Sequence, residues 1–195
     1  MKKLLLTAFE PFGGEDINSS LMTLKLIPDQ IGDWQIIKHQ VPVVFGEAGK
    51  NVLAKADEVN PDAIISMGQA EGQADITPEL VGINLRNARI ADNSGAQPLR
   101  VAVDPEGPAA YFSTLPVFEM VDAINNEGIP ASVSYSAGTF VCNDLLYTLL
   151  RHYDGSEVGA VFIHLPLTPE QAKGEQPSLK VEDMARGIIK AIETI

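Results

Sequence analysis

The chain has one cysteine and three histidines, and Cys142 and His164 fall where covalent catalysis would need them. Cys142 lies in the stretch SYSAGTFVCNDLLYTLL, residues 134–150. Before it, small or polar side chains alternate with apolar ones. After it, Val141, Leu145, Leu146, Leu149 and Leu150 recur at helical spacing, and the period changes at Ala137-Gly138-Thr139. A thiol just inside a helix N-terminus faces unpaired backbone N–H groups and the positive end of the helix dipole, both of which favour thiolate. A free thiol titrates near ~8.5, so such a shift decides reactivity at neutral pH. The competing reading of Cys142 is a small buried thiol that packs the start of a helix.

His164 closes the apolar run VGAVFIHL, residues 158–165, which reads as a buried parallel strand. A strand over 131–136, a helix over 141–152 and this strand form one βαβ unit, whose parallel strands end at the same sheet edge. Cys142 and His164 are therefore expected to share the edge at which open α/β sheets bind ligands. His39 falls inside a strand, and His152 sits at a helix end where the dipole favours a cation. In a cysteine–histidine pair, imidazole takes the thiol proton, the thiolate attacks a carbonyl and the imidazolium protonates the leaving amine. A third group orients the ring. Glu10, Glu71, Asp75, Glu79 and Asp92 are all available, and pattern alone does not choose among them.

The rest of the chain supplies the scaffold. Residues 3–9 read as a buried strand that delivers the loop Glu10-Pro11-Phe12-Gly13-Gly14. GxGxxG is absent and no Gly-Lys-Ser/Thr follows, which argues against a nucleotide phosphate. Asn18-Ser19-Ser20 can cap a helix carrying Leu21, Leu24 and Ile27 that stops before Pro28. A strand at 34–41, a helix at 45–59 and a strand at 62–67 continue the βαβ rhythm. It lapses over 76–98, where Val81, Ile83 and Leu85 alternate with Gly82, Asn84 and Arg86, an irregular strand or hairpin carrying Glu79, Arg86 and Arg89. Helices follow at 114–126 and 179–195. The expected fold is α/β, a single catalytic domain over 1–195 with an open, twisted, mostly parallel sheet and helices on both faces.

A chain of 195 residues buries about 70% of its unfolded surface and needs no metal or disulfide to hold it. The net charge of −12 argues against non-specific nucleic-acid or anionic-membrane partners. Nothing approaches the ~20 apolar residues of a membrane span. One cysteine makes no internal disulfide, and Met1-Lys2-Lys3 precedes only Leu4-Leu5-Leu6, too short for a secretory leader. The expected setting is a reducing cytoplasm.

Over nearly its full length the sequence resembles the pyroglutamyl-peptidase I (pyrrolidone-carboxylate peptidase) family of cysteine peptidases. The likeness rests on TAFEPFGG (7–14), GQAEGQADITPELVGIN (68–84), ARIADNSGAQP (88–98), GPAAYF (107–112), SYSAGTFVCN (134–143) and FIHLP (162–166), in that order and spacing. It implies hydrolysis of the amide bond after an N-terminal pyroglutamyl residue of peptides, through a thioester acyl-enzyme and without cofactor or metal. The implied triad is Cys142 as nucleophile, His164 as general base and acid, and Glu79 as the carboxylate that orients the ring. The implied pocket has Phe9 and Phe12 as aromatic walls and Ile90, Phe140 and Val141 as apolar lining. Asn18 and Gln69 match positions that hydrogen-bond the ring amide, and Arg89 matches an arginine close to the cysteine.

Such a pocket is chemically sensible, because a small neutral lactam needs a dry slot, an acceptor for its N–H and a donor for its carbonyl. A proline ring lacks the carbonyl and leaves that donor unpaired. The backbone N–H of Cys142 is the natural oxyanion donor. Leu80 stands where the family commonly has arginine and Ala91 where it commonly has proline; both bear on how firmly the Glu79 loop is held. Asp144 suits a helix N-terminus and is expected to face away from the thiolate. A homo-oligomer, tetramer or dimer, is also implied. The alternatives are a non-catalytic small-molecule-binding protein of the same fold, a redox sensor, which would want a resolving cysteine, and a nucleoside-directed enzyme, which would want a basic phosphate site.

Overall fold

The computed structural model describes residues 1–195. In chain order the strands are Lys2–Phe9 (β1), Gln30–Ile31 (β2), Trp34–Val41 (β3), Ala63–Gln69 (β4), Thr77–Pro78 (β5), Val81–Ile83 (β6), Ala110–Phe112 (β7) and Gly159–Leu165 (β8). The helices are Ser19–Leu26 (α1), Glu47–Val59 (α2), Val117–Asn126 (α3), Val141–His152 (α4) and Val181–Ile192 (α5). The main sheet has the order β2-β3-β1-β4-β8-β5. Its four long strands, β3, β1, β4 and β8, are parallel, and the two-residue strands β2 and β5 close its edges antiparallel. The fold is thus α/β with a mostly parallel sheet. β6 and β7 pair separately as a small antiparallel ribbon.

Side-chain alternation along the central strands divides two cores. Leu4, Leu6 and Ala8 of β1, Ile65 and Met67 of β4, and Val161, Ile163 and Leu165 of β8 share a cluster with residues of α1, α3 and α5. Leu5 and Phe9, Ile64, Ala160 and Phe162 turn the other way and pack with residues of α2 and α4. His164 has the parity of Ala160 and Phe162, so it lies on the α4 side. That parity, with the position of α4, brings the histidine toward the cysteine.

The expected strand at 131–136 is not one, and the βαβ unit built on it does not exist. Only two isolated bridges join this stretch to the β5 region, Ile76 with Ala131 and Glu79 with Ser134, both parallel. The reason is Pro78. Ile76 N–H donates to the Pro130 carbonyl, Ser132 N–H to Ile76, Ser134 N–H to Pro78 and Leu80 N–H to Ser134. The remaining rung would need an N–H from residue 78, which proline lacks. Because β5 is antiparallel to β8, the 131–134 stretch also runs antiparallel to β8, opposite to the sequence reading.

Other boundaries moved for local reasons. α3 begins at Val117 rather than near residue 114 because Thr114 is held by β8, its N–H donating to the Ala160 carbonyl and its Oγ1 accepting from the Ala160 N–H. Of the alternating 81–85 stretch, Val81–Ile83 forms a strand, but it pairs with β7, which the sequence did not reveal. No helix is long and apolar enough to cross a membrane.

Candidate active site

Cys142 is the second residue of α4, and His164 and Glu79 come from the sheet edge beside it. Thr77 lies opposite His164 and Pro78 opposite Ile163 in the β5–β8 pairing, and the Glu79 N–H donates to the Phe162 carbonyl. Glu79 is therefore the diagonal neighbour of His164 on the same face. Its Oε1 lies 2.6 Å from His164 Nδ1. The other oxygen, Oε2, is buried without a partner. Ser113 Oγ donates to the Glu79 carbonyl at 2.6 Å and further fixes that backbone.

Cys142 is close enough to the imidazole to act on its protonation. Burial pushes the histidine down, but the charge of Cys142 and then the hydrogen bond and charge of Glu79 outweigh it, raising His164 from 6.5 to about 10. The two partners thus favour the protonated ring. Gly68 of β4, the register partner of His164, leaves the space the thiol occupies: a Cβ there would stand 2.7 Å from Phe162 Cζ and 3.2 Å from Cys142 Sγ.

The start of α4 is open for chemistry yet firmly anchored. Phe140, at the N-cap, offers no side-chain cap, and the N–H groups of Val141, Cys142 and Asn143 have no acceptor in the protein. The next two side chains hold the helix in place. Asn143 accepts from the Ile83 N–H and donates to the carbonyls of Ile83 and Leu85. Asp144, fully buried, accepts from Arg86 Nε at 2.5 Å and from the Gly46 N–H at 2.7 Å. Its charge is therefore balanced by Arg86.

A cavity of about 620 Å³ lies beside the start of α4, lined among others by Phe12, Gln69, Arg89, Ile90, Phe140 and Gln171; Cys142, His164 and Glu79 are not part of its lining. Phe140 precedes Cys142 by two residues, and Gln69 follows the Gly68 that abuts the sulfur. Phe140 packs against Phe12 (ring centroids 6.2 Å apart) and edge-on against Phe45 (5.2 Å). Lys173 pairs with Glu15 at 3.5 Å and Gln176 donates to Glu71 at 2.7 Å, joining residues on different sides of the wall. No group of three or more His, Cys, Asp or Glu side chains is placed to hold a metal ion.

The family profile of pyroglutamyl peptidases matches residues 2–195. The chain belongs to the pyroglutamyl peptidase family. It is 49% identical to pyrrolidone-carboxylate peptidase 1 of Caldanaerobacter subterraneus subsp. tengcongensis, covering 99% of this chain and 97% of the relative. It is 47% identical to the pyrrolidone-carboxylate peptidase of Staphylococcus haemolyticus, covering 99% and 93%. The crystal structure of Bacillus amyloliquefaciens pyroglutamyl peptidase I superposes with a TM-score of 0.94 at 42% identity, covering 100% and 96%. The solved structure of pyrrolidone carboxyl peptidase from Thermococcus litoralis gives a TM-score of 0.95 at 35% identity, covering 100% and 93%. The protein is thus a cysteine-type hydrolase of the pyroglutamyl peptidase family.

Of the pocket residues that the family likeness implies, Phe12, Gln69, Arg89, Ile90 and Phe140 line the cavity. Phe9 and Val141 do not. Phe9 ends β1 on the α4-side parity and packs on Phe162, and Val141 opens α4 facing the same core, so both back the site from within. Asn18 is also behind the wall. Its Oδ1 accepts from the Ser20 N–H and hydroxyl and its Nδ2 donates to the Glu10 carbonyl, committing it to the cap of α1. Arg89 is exposed at the cavity wall and makes no ion pair. Leu80 packs against the core beneath α3 and α5, and backbone bonds to Ser134 and Ser113 hold the Glu79 loop without the family's usual arginine. Ala91 is exposed.

Sequence reasoning missed Phe45, Asn143, the Arg86–Asp144 pair and Gln171 at this pyroglutamyl peptidase site. Two adjacent polar residues at the start of an otherwise apolar helix were a usable signal for Asn143 and Asp144. Nothing local marked Phe45 or Gln171.

Proposed function

We infer that residues 1–195 act as one catalytic domain that removes N-terminal pyroglutamyl residues from peptides, with Cys142 as nucleophile, His164 as general base and acid, and Glu79 as the carboxylate that orients the imidazole. The observation that carries this reading is the buried hydrogen bond from His164 to Glu79, set beside the half-buried thiol of Cys142 at the start of α4. An imidazolium beside the sulfur favours the thiolate. Thiolate attack on the substrate carbonyl forms a tetrahedral oxyanion, for which the unpaired Cys142 N–H is a ready donor. Collapse breaks the amide bond, His164 protonates the departing amine, and a pyroglutamyl thioester remains on Cys142. Water, deprotonated by the now neutral imidazole, hydrolyses it.

Lactam recognition is supported by Phe12, Ile90 and Phe140 as dry walls and by Gln69 as polar reader. Gln69 Oε1 already accepts from the Ser19 N–H and from Gln171, whereas its Nε2 has no partner in the protein. That N–H group is the donor for the lactam carbonyl, and Arg89 stands at the outer wall toward the peptide. A thiol that must stay reduced supports a cytoplasmic setting. Self-association is supported by exposed apolar side chains, Phe112 at 68%, Tyr135 at 66% and Phe118 at 53% of full exposure. Sedimentation measures it directly, and a monomer at all concentrations contradicts it.

The test of function is release of a chromogenic amine from a pyroglutamyl amide by wild type and Cys142→Ser, with the prolyl amide as control. Turnover confined to wild type and to the pyroglutamyl compound is expected, with the serine variant at least about a thousandfold slower. Cleavage of both amides would keep the peptidase and remove lactam recognition. No turnover by folded, reduced protein would leave a binding role.

A further inference from the structure

Gln69 reads a carbonyl only if its amide is turned the right way, and the structure shows what turns it. The Ser19 backbone N–H, which can only donate, points at Gln69 Oε1 from 2.9 Å. A second donor to the same oxygen is Gln171 Nε2 at 2.7 Å. Gln171 is itself oriented by backbone groups: the Thr168 N–H donates to its Oε1 at 3.1 Å, and the Ile17 carbonyl accepts from its Nε2 at 3.3 Å. Backbone groups have a fixed polarity, so the chain from Thr168 and Ile17 through Gln171 to Gln69 has one consistent sense. Gln171 is only 7% exposed, sits between β8 and α5, and forms part of the cavity wall.

We propose that Gln171 is a positioning residue for substrate recognition: it locks the Gln69 amide so that an N–H, and not a carbonyl, is presented to the lactam carbonyl of the substrate. The inference rests on the reading of the protein as a pyroglutamyl peptidase and adds the residue that sets the polarity of its pocket. Turned the other way, Gln69 would set its oxygen against the lactam oxygen and repel it. The same pocket would then lose the contact that separates a lactam from a proline ring.

Gln171→Glu reverses polarity at one atom. Its carboxylate faces Gln69 Oε1 and the Ile17 carbonyl with no donor of its own. A charge-assisted bond from Gln69 Nε2 to that carboxylate outweighs the neutral bond from the Ser19 N–H, so the Gln69 amide turns. Gln171→Met keeps the length and removes the donor without adding charge.

The experiment measures kcat and KM of the three proteins on a chromogenic pyroglutamyl amide from mildly acidic to mildly alkaline pH. It also records the nuclear Overhauser contact between the Ser19 N–H and the Gln69 side-chain NH₂ protons. For Gln171→Glu at neutral pH, KM rises by about tenfold or more, with kcat changed less. The ratio to wild type shrinks in acid, where the introduced carboxyl group takes up a proton and donates to Gln69 again. Gln171→Met raises KM less and shows no recovery in acid, and the Ser19–Gln69 contact appears in Gln171→Glu but not in wild type. A merely structural role would move kcat and KM together, with no recovery in acid. An active wild type whose KM is matched by Gln171→Glu, or a Gln69 amide that does not turn, overturns the proposal. A Gln69 amide that turns as expected in a protein whose wild type cleaves no pyroglutamyl amide keeps the positioning role and removes the assigned activity instead.

Discussion

The face of the sheet beneath α1, α3 and α5 buries 26 apolar residues in one cluster, whereas the face beneath α2 and α4 buries 16 and carries Cys142, His164 and the aromatic wall of the cavity. On the larger face the buried polar side chains of α1 are the small hydroxyls of Ser19, Ser20 and Thr23, the last donating to Met184 Sδ. The smaller one holds the Thr7–Ser66 hydroxyl pair inside the sheet, the charged Asp144 of α4, and the imidazole between Glu79 and Cys142. Each large apolar side chain that is fully buried contributes about 1.5–3 kcal/mol, and each buried polar group costs unless its partners are in place. One face thus supplies stability while the other spends part of it on chemistry.

That contrast predicts that damage to the two faces separates activity from stability. The largest effect is expected from Glu79→Gln. It removes the charge and weakens the bond that hold His164 as imidazolium, so kcat/KM falls by about 10²- to 10⁴-fold. The sign of the pH effect follows from the raised histidine. The active pair needs the imidazolium, which is lost as pH rises through about 10. Without Glu79 one of the causes raising it is gone, and the alkaline limb of the kcat/KM profile moves to lower pH. A limb that stays in place would show that Glu79 does not act through His164.

Smaller effects compare the cores directly. Ile188→Ala, at a fully buried position on α5, is expected to cost about 2–5 kcal/mol in denaturant unfolding while the folded protein keeps kcat/KM within about twofold. Asp144→Asn leaves the Arg86 Nε or the Gly46 N–H without an acceptor. It is expected to cost about 1–3 kcal/mol and also to lower activity, because the anchored start of α4 carries Cys142, the proposed nucleophile. Equal loss of activity in both variants would erase the distinction between the faces.

Much of this architecture was legible in the sequence, though not always for the right reason. The long parallel strands and five helices followed from period and punctuation. Cys142 and His164 were expected together because two parallel strands would end at one edge. They meet instead through the parity of His164 on β8 and the placement of α4, since Pro78 interrupts the pairing that would have made 131–136 a strand. Glu79 was one of five equivalent carboxylates until the family likeness singled it out; its selection depends on the β5–β8 register, which two-residue strands do not announce. The amide chain was illegible because Gln69 and Gln171 stand 102 positions apart and belong to no periodic pattern.

The most direct test of the central claim is to trap the acyl-enzyme. Wild type is mixed with a pyroglutamyl nitrophenyl ester, whose good leaving group makes acylation fast, quenched in acid and mapped by mass spectrometry. The expected result is one pyroglutamyl group on the peptide carrying Cys142, removed by hydroxylamine as a thioester is, and none from the prolyl ester. Release of nitrophenol with the group on another residue, or equal labelling by the prolyl ester, would contradict it.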